Sequence, residues 1–272
     1  MSILHADNLA KTYGRRLVVA GVNVRVESRE IIGLLGRNGA GKTTTFQMIV
    51  GLVKPDHGSI DLDGRDISRA TAPDRARLGI TYLPQENSVF LKATVEENLK
   101  LILELLPYGR LEREQLSREL LTELGLLSLS RQPAHSLSGG ERRKLEICRS
   151  LVLRPKFLLL DEPFTGIDPL TIIELQRIML SLKERGMGIV ISDHNVRDTL
   201  HITDRAYILD EGEVLIEGRP ADIAASAAAR EKFLGEDFAL AEPGANRPRK
   251  NNDRPASRRE STGRGRNKAP EE

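Results

Sequence analysis

The run Gly36-Arg37-Asn38-Gly39-Ala40-Gly41-Lys42-Thr43, with Thr44 next, fits the spacing of a phosphate-binding loop. Glycines there let backbone N–H groups curl around phosphate oxygens, and a helix starting at Lys42 aims its positive end at them. Lys42 has the reach for the β- and γ-phosphates, and the Thr43 hydroxyl suits the shell of a Mg²⁺ ion. A second pair, Asp161-Glu162, closes the apolar run Phe157-Leu158-Leu159-Leu160. At a strand end beside the loop, Asp161 would hold Mg²⁺ through water. Glu162, one residue nearer the γ-phosphate, would polarise the attacking water. A third string, Leu137-Ser138-Gly139-Gly140-Glu141, precedes a helical stretch over residues 142–153. It offers a hydroxyl and bare N–H groups at a helix start, a second anion site. Leu137 lies 95 residues beyond Lys42. One nucleotide does not need two phosphate cradles from one subunit, so this one is expected to serve the nucleotide of a partner.

These groups need a scaffold. Ile31-Ile32-Gly33-Leu34-Leu35 is continuously apolar, as is a strand buried on both faces, and it feeds the glycine loop and a helix over residues 42–51. Similar runs at 157–160 and 188–192 precede helix-like segments at 170–185 and 196–203. Strands alternating with helices predict an α/β fold with a mostly parallel sheet. Val18, Val22, Val24 and Val26 recur at even spacing, and Ile60 and Leu62 precede an Asp63-Gly64 turn, so strands are expected there too. Between the first two buried strands, residues 94–127 read as helical, with Leu99, Leu103 and Leu106 on one face, an insertion into the core. Residues 207–210 and 214–217 around Glu211-Gly212 form a closing hairpin.

Of the 272 residues 39% are apolar and 29% charged, as in a globular protein. No uncharged apolar run approaches the roughly 18 residues that cross a bilayer, and no secretory pattern opens the chain. The single cysteine, Cys148, excludes an internal disulfide and a cysteine-built zinc site. A cytosolic chain is expected. Residues 241–272 hold nine Lys/Arg against five Asp/Glu, and alanine is their only apolar type, so they read as a basic disordered tail. Weak adhesion to an anionic membrane surface is the functional role such a tail could have. The remaining 240 residues carry 32 basic and 34 acidic side chains, which argues against nucleic acid as the main ligand.

With these three motifs in this order, residues 4–240 resemble the ATP-binding subunits of ABC transporters. The resemblance implies a P-loop NTPase core with an N-terminal antiparallel β-subdomain and a helical subdomain inserted at about 94–153, the ATPase domain spanning 1–240. It implies ATP and Mg²⁺ as cofactors and hydrolysis coupled to transport. It also implies a homodimer in the ATP-bound state, two transmembrane permease subunits, and a peripheral position on the cytoplasmic face of the inner membrane. Tyr13 looks like the aromatic that stacks on adenine. Gln85 looks like the residue linking γ-phosphate and Mg²⁺ to the membrane subunit. Gly166-Ile167-Asp168 resembles the loop that crosses the dimer interface, and His194 the switch histidine at the γ-phosphate. The stretch after Gln85, especially Val89, Phe90 and Leu91, looks like the groove that receives a short permease helix.

A narrower resemblance, to the ATPases of lipopolysaccharide export, rests on Gly41-Lys42-Thr43-Thr44-Thr45-Phe46, Tyr82-Leu83-Pro84-Gln85-Glu86, Ser192-Asp193-His194-Asn195-Val196-Arg197 and Leu234-Gly235-Glu236-Asp237-Phe238. The tail beyond Leu240 has no counterpart in that pattern, and Val89-Phe90-Leu91-Lys92 replaces part of a more basic surface. A branched-chain amino-acid importer ATPase and a soluble ATPase of iron–sulfur cluster assembly are the alternatives. A chromosome-structuring ATPase would need a long coiled coil between the first and third motifs, and a tandem translation ATPase a second phosphate loop.

Overall fold

The computed structural model describes residues 1–235, Phe238 and Leu240. The expected tail, and Glu236 and Asp237 of the C-terminal string, lie outside these residues. Six strands form the central sheet: β3 (Ile31–Gly36), β6 (Ile80–Leu83), β7 (Phe157–Asp161), β8 (Gly188–Asp193), β9 (Arg205–Asp210) and β10 (Glu213–Gly218), in the order β10-β9-β3-β8-β7-β6. All neighbours are parallel except the β9–β10 hairpin. Every residue of β3, β7 and β8 is buried, as their unbroken apolar runs require. Register pairs Leu35 with Asp193, Asp161 with Ser192, and Leu83 with Leu160. The C-terminal ends of β3, β8, β7 and β6 therefore open on one edge, where α/β sheets bind ligands.

A second, antiparallel sheet has the order β2-β1-β4-β5, from β1 (Ile3–Tyr13), β2 (Arg16–Glu27), β4 (His57–Leu62) and β5 (Arg65–Asp66). Val22, Val24 and Val26 face the core, but Val19 rather than Val18 is the fully buried residue at the strand's start. Register shifts in the β1–β2 ladder break the even spacing there. Leu34, Leu159 and Val190 pack on this side of the central sheet with Phe46, Met48 and Ile49 of α1 (Lys42–Val50). Leu158, Leu160, Ile189 and Ile191 face the other way, onto α3 (Val95–Leu103), α4 (Arg110–Glu123), α5 (Gly139–Leu151) and α6 (Pro169–Glu184). Leu99 and Leu103 are buried in that layer and Leu106 packs against it.

α1 ends on an unusual brace. Arg75, in α2 (Ala72–Arg77), is 1% exposed and donates to the carbonyls of Met48 (2.7 Å), Ile49 (2.6 Å), Ser68 (3.0 Å) and Ala70 (3.1 Å). It supplies a donor to the Ile49 carbonyl at the helix end and a second one to the Met48 carbonyl, which also accepts from the Gly51 N–H at 3.2 Å.

Candidate active site

The phosphate loop packs closely against neighbouring backbone. A Cβ on Gly36 would lie 2.4 Å from the Leu209 carbonyl oxygen, and one on Gly41, at φ +101°, 2.7 Å from that of Val18. Arg37, Asn38 and Gly39 form an exposed crest, Ala40 is buried beneath it, and Arg16 reaches the crest beside Gly39. Lys42 is 6% exposed, and its ammonium donates to the carbonyls of Gly36 (2.8 Å) and Arg37 (3.1 Å). Burial lowers its pKa, against the opposing charges of Glu162, Asp161 and Asp193. Thr43 is exposed in the same cleft and Thr44 half-buried.

Asp161 emerges from β7 fully buried. Its carboxylate accepts from the Tyr82 hydroxyl (3.0 Å) and the Ser192 hydroxyl, and Arg143 donates to its backbone carbonyl at 2.9 Å. Burial, then the Asp161 charge, push the Tyr82 phenol well above its ordinary range. Glu162 turns out of the strand at φ +47°, a left-handed conformation costly for a non-glycine and typical of functional turns. Its N–H donates to the Ser192 carbonyl (2.7 Å). Its Oε2 accepts from Gln85 Nε2 (2.8 Å) and the Thr165 hydroxyl (3.2 Å), and lies 3.6 Å from Nδ1 of His194. Glu162, Gln85 and His194 thus meet over Lys42 and Thr43, lining a cleft of about 560 Å³.

The Ser138 segment folds differently from its expected start. α5 begins at Gly139, three residues before the expected Arg142, because Ser138 and Glu141 form a capping box. Ser138 Oγ accepts from the Glu141 N–H (3.2 Å), and Glu141 accepts from the Ser138 N–H (2.8 Å), which holds the Glu141 carboxyl below its ordinary value. Gly139 and Gly140 occupy the first turn, where N–H groups lack helical partners. Asp168 caps α6, accepting from the Thr171 N–H (3.1 Å) and hydroxyl (2.6 Å). Ser138, Gly139, Gly140, Asp168 and Tyr13 do not line the Lys42 cleft. Tyr13 stands exposed, with the Lys11 ammonium 5.7 Å from its ring centroid.

The residues after Gln85 divide between core and surface. Val89 belongs to the core, because its side chain completes the layer around Leu83 and Val95. Phe90 and Leu91 are half-exposed, Phe90 beneath the Arg149 guanidinium at 4.8 Å. A separate cleft of about 340 Å³ lies nearby, lined by Leu52, Ala72, Ala76, Pro84, Ser88 and Ile102 among others. It takes Ser88 from that stretch and Pro84 from just before Gln85, but none of Val89, Phe90 or Leu91.

Tyr82 and Ser192 stand in strings that carry the resemblance but gain no role of their own from it, and no motif singles out Thr165, Arg143 or Arg16. Their partners are distant in sequence or simple hydroxyl and backbone contacts, and no spacing rule announces them. Among the described residues no group of His, Cys, Asp and Glu could cage a metal, and no helix is long and apolar enough to cross a membrane.

A mostly parallel sheet opening on a glycine-rich loop with a buried lysine, and a carboxylate, a glutamine and a histidine that meet in the same cleft, is an arrangement suited to a nucleotide hydrolase. A family model described as ABC transporter matches residues 19–165, and the chain belongs to that family as an ATP-binding, ATP-hydrolysing member. It is 50% identical over 238 residues to the lipopolysaccharide export system ATP-binding protein LptB of Acidithiobacillus ferridurans, covering 88% of this chain and 99% of that protein. To the LptB of Escherichia coli strain K12 it is 47% identical over 241 residues, covering 88% and 100%. Among solved structures, the ADP conformation of an ATP-binding cassette of an ABC transporter matches with a TM-score of 0.78 and 28% identity, covering 87% of this chain and all of that one.

Proposed function

We propose that the chain is the motor subunit for extraction of lipopolysaccharide from the inner membrane and its export to the outer membrane. Near one-half identity along the full length of proteins named for that export supports the cargo. The convergence of Glu162, Gln85 and His194 above Lys42 supports the chemistry, and the reading turns on it. ATP with Mg²⁺ is the substrate. Backbone N–H groups of residues 36–43 cradle its phosphates, and Lys42 exchanges two carbonyls for phosphate oxygens. The Thr43 hydroxyl, the Gln85 amide oxygen and, through water, Asp161 make a hard-oxygen set that suits Mg²⁺ carried on phosphates. The Tyr82 and Ser192 hydroxyls already occupy Asp161, which favours the water-mediated contact.

Glu162 orients the attacking water and takes its proton as the bond from the γ-phosphorus to the ADP oxygen breaks. His194 supports the charge that develops on the transferred phosphoryl group. Two copies pack head to tail, each lending Ser138, Gly139, Gly140 and Asp168 to its partner's nucleotide, with Tyr13 stacked on the adenine. The position of these residues outside the chain's own cleft supports that pairing. ATP contacts made only in the closed dimer favour closure, and hydrolysis releases them. The ATPase occupies residues 1–240. The 340 Å³ cleft seats a cytoplasmic helix of each of two permeases, which holds the subunit on the cytoplasmic face of the membrane.

Glu162→Gln tests the reading. The variant is expected to retain ATP, accumulate as a dimer on size exclusion and lose turnover, whereas Lys42→Ala loses nucleotide affinity itself. Undiminished hydrolysis by purified Glu162→Gln removes Glu162 from its role. Release of lipopolysaccharide from proteoliposomes holding the co-purified permeases tests the cargo.

A further inference from the structure

β8 ends in a carboxylate that the roles above leave unused. Asp193 is fully buried, directly before His194. Its Oδ2 accepts from the Phe164 N–H at 3.0 Å and its Oδ1 from the Asn195 N–H at 2.8 Å. The same Oδ1 lies 3.6 Å from His194 Nδ1. Phe164 is two residues beyond Glu162, and the next residue, Thr165, donates to Glu162 and stands 3.5 Å from His194 Nδ1. One carboxylate therefore joins the loop that carries the base to the loop that carries the histidine.

A capping duty does not account for it. The helix Val196–Ile202 has its own N-cap, since the Asn195 side chain accepts from the Asp198 N–H. A buried charge is costly and persists where its bonds fix something else. We propose that Asp193 is a positioning residue that locks the Glu162 and His194 loops into one frame, so that both side chains face the γ-phosphate together. This inference rests on the roles given to those two residues above. The tie makes no hydrogen bond to the phosphate loop, and its charge has the smallest effect of the three that act on Lys42, so nucleotide binding should change little. Turnover depends on the tie, since small misplacements of reacting groups cost rate steeply.

The test is Asp193→Asn in the full chain. The amide keeps the size and one acceptor oxygen, but it turns an NH₂ toward one of the two N–H groups. A fall in kcat of about 10- to 100-fold is expected, with KM for ATP and ADP affinity within about threefold. The ring ¹⁵N signals of His194 should move as well. Ile223→Ala, a core truncation remote from the cleft, serves as the destabilised control and should leave those signals in place. A kcat within twofold of the parent overturns the proposal, and so does a KM that rises in step with the fall in kcat. Should Asp193→Asn fail to fold, Asp193→Ser is measured the same way. A chain that folds with neither assigns the carboxylate to stability and also overturns it. Glu162→Gln runs alongside: if it is inactive while Asp193→Asn turns over normally, only this inference falls, whereas active Glu162→Gln takes the site reading down with it.

Discussion

Replacing Gly139 and Gly140 by alanine, one at a time, separates a glycine kept for what approaches it from one kept for packing. A Cβ on Gly140 would sit 2.3 Å from Thr171 Cγ2, 2.9 Å from its Oγ1 and 3.1 Å from its Cβ. Thr171 cannot rotate away freely, because its hydroxyl and N–H are the donors that Asp168 uses to cap α6. The start of α5 must move by about an ångström or the cap must break. Overpacking of this kind costs about 1–3 kcal/mol, partly offset by the better helix propensity of alanine, at most about 1 kcal/mol. At about 2–4 °C per kcal/mol for a domain of this size, Gly140→Ala should lower Tm by several degrees. Gly139 is different: its Cβ would meet nothing closer than the Gly166 carbonyl oxygen at 4.0 Å. Gly139→Ala should leave Tm unchanged or slightly raised, yet it should cut ATPase activity at least tenfold if a partner's phosphate must approach that bare N–H. Thermal melting and steady-state phosphate release read both variants. A fully active, unperturbed Gly140→Ala would refute the packing argument, and a fully active Gly139→Ala the shared pocket.

Tyr82→Phe removes one hydroxyl from a buried carboxylate while keeping the edge-on contact with Phe46, so urea unfolding should show a loss of about 1–3 kcal/mol. An unchanged midpoint and slope would show that the Asp161 bond contributes nothing. Ala76→Arg fills the second cleft with a charged side chain and should abolish permease co-purification from detergent extracts, with melting used to verify the fold. Glu97 and Glu141 are held below their ordinary value of 4.5 by N–H and hydroxyl donation from Thr94 and Ser138. A depressed folded-state pKa means that their stabilisation is present above about pH 4.5 and lost as pH falls through the folded value. Tm should therefore drop between pH 5 and pH 3, and drop less in the double variant Glu97→Gln/Glu141→Gln.

What could be foreseen depended on whether the cause was local. The unbroken apolar runs of β3, β7 and β8 announced strands buried on both faces, and the loop after β3 carried its own spacing. The start of α5 at Gly139 was missed, because two glycines of poor helix propensity masked the Ser-x-x-Glu spacing of a capping box. Val89 illustrates the opposite difficulty. Its neighbours Phe90 and Leu91 are exposed, and only the layer it packs against decides that it turns inward. The hydroxyls on Asp161 come from residues 79 and 31 positions away, joined by strand register that no single segment encodes. The left-handed backbone at Glu162 is likewise set by its bond to Ser192, across the sheet.

The guanidinium of Arg75 has a mechanical consequence. Helix ends ordinarily fray, and a fraying end absorbs displacement as a soft spring would. With the Met48 and Ile49 carbonyls fastened to a fork that also grips Ser68 and Ala70, the far end of α1 has no slack. The same fork belongs to the helix that carries Ala72 and Ala76, so the end of the helix starting at Lys42 and the rim of the second cleft are fastened to one side chain. Lysine, with three donors on a single nitrogen, could not grip four oxygens spread along two strands of chain, so the linkage would loosen even though the charge survived.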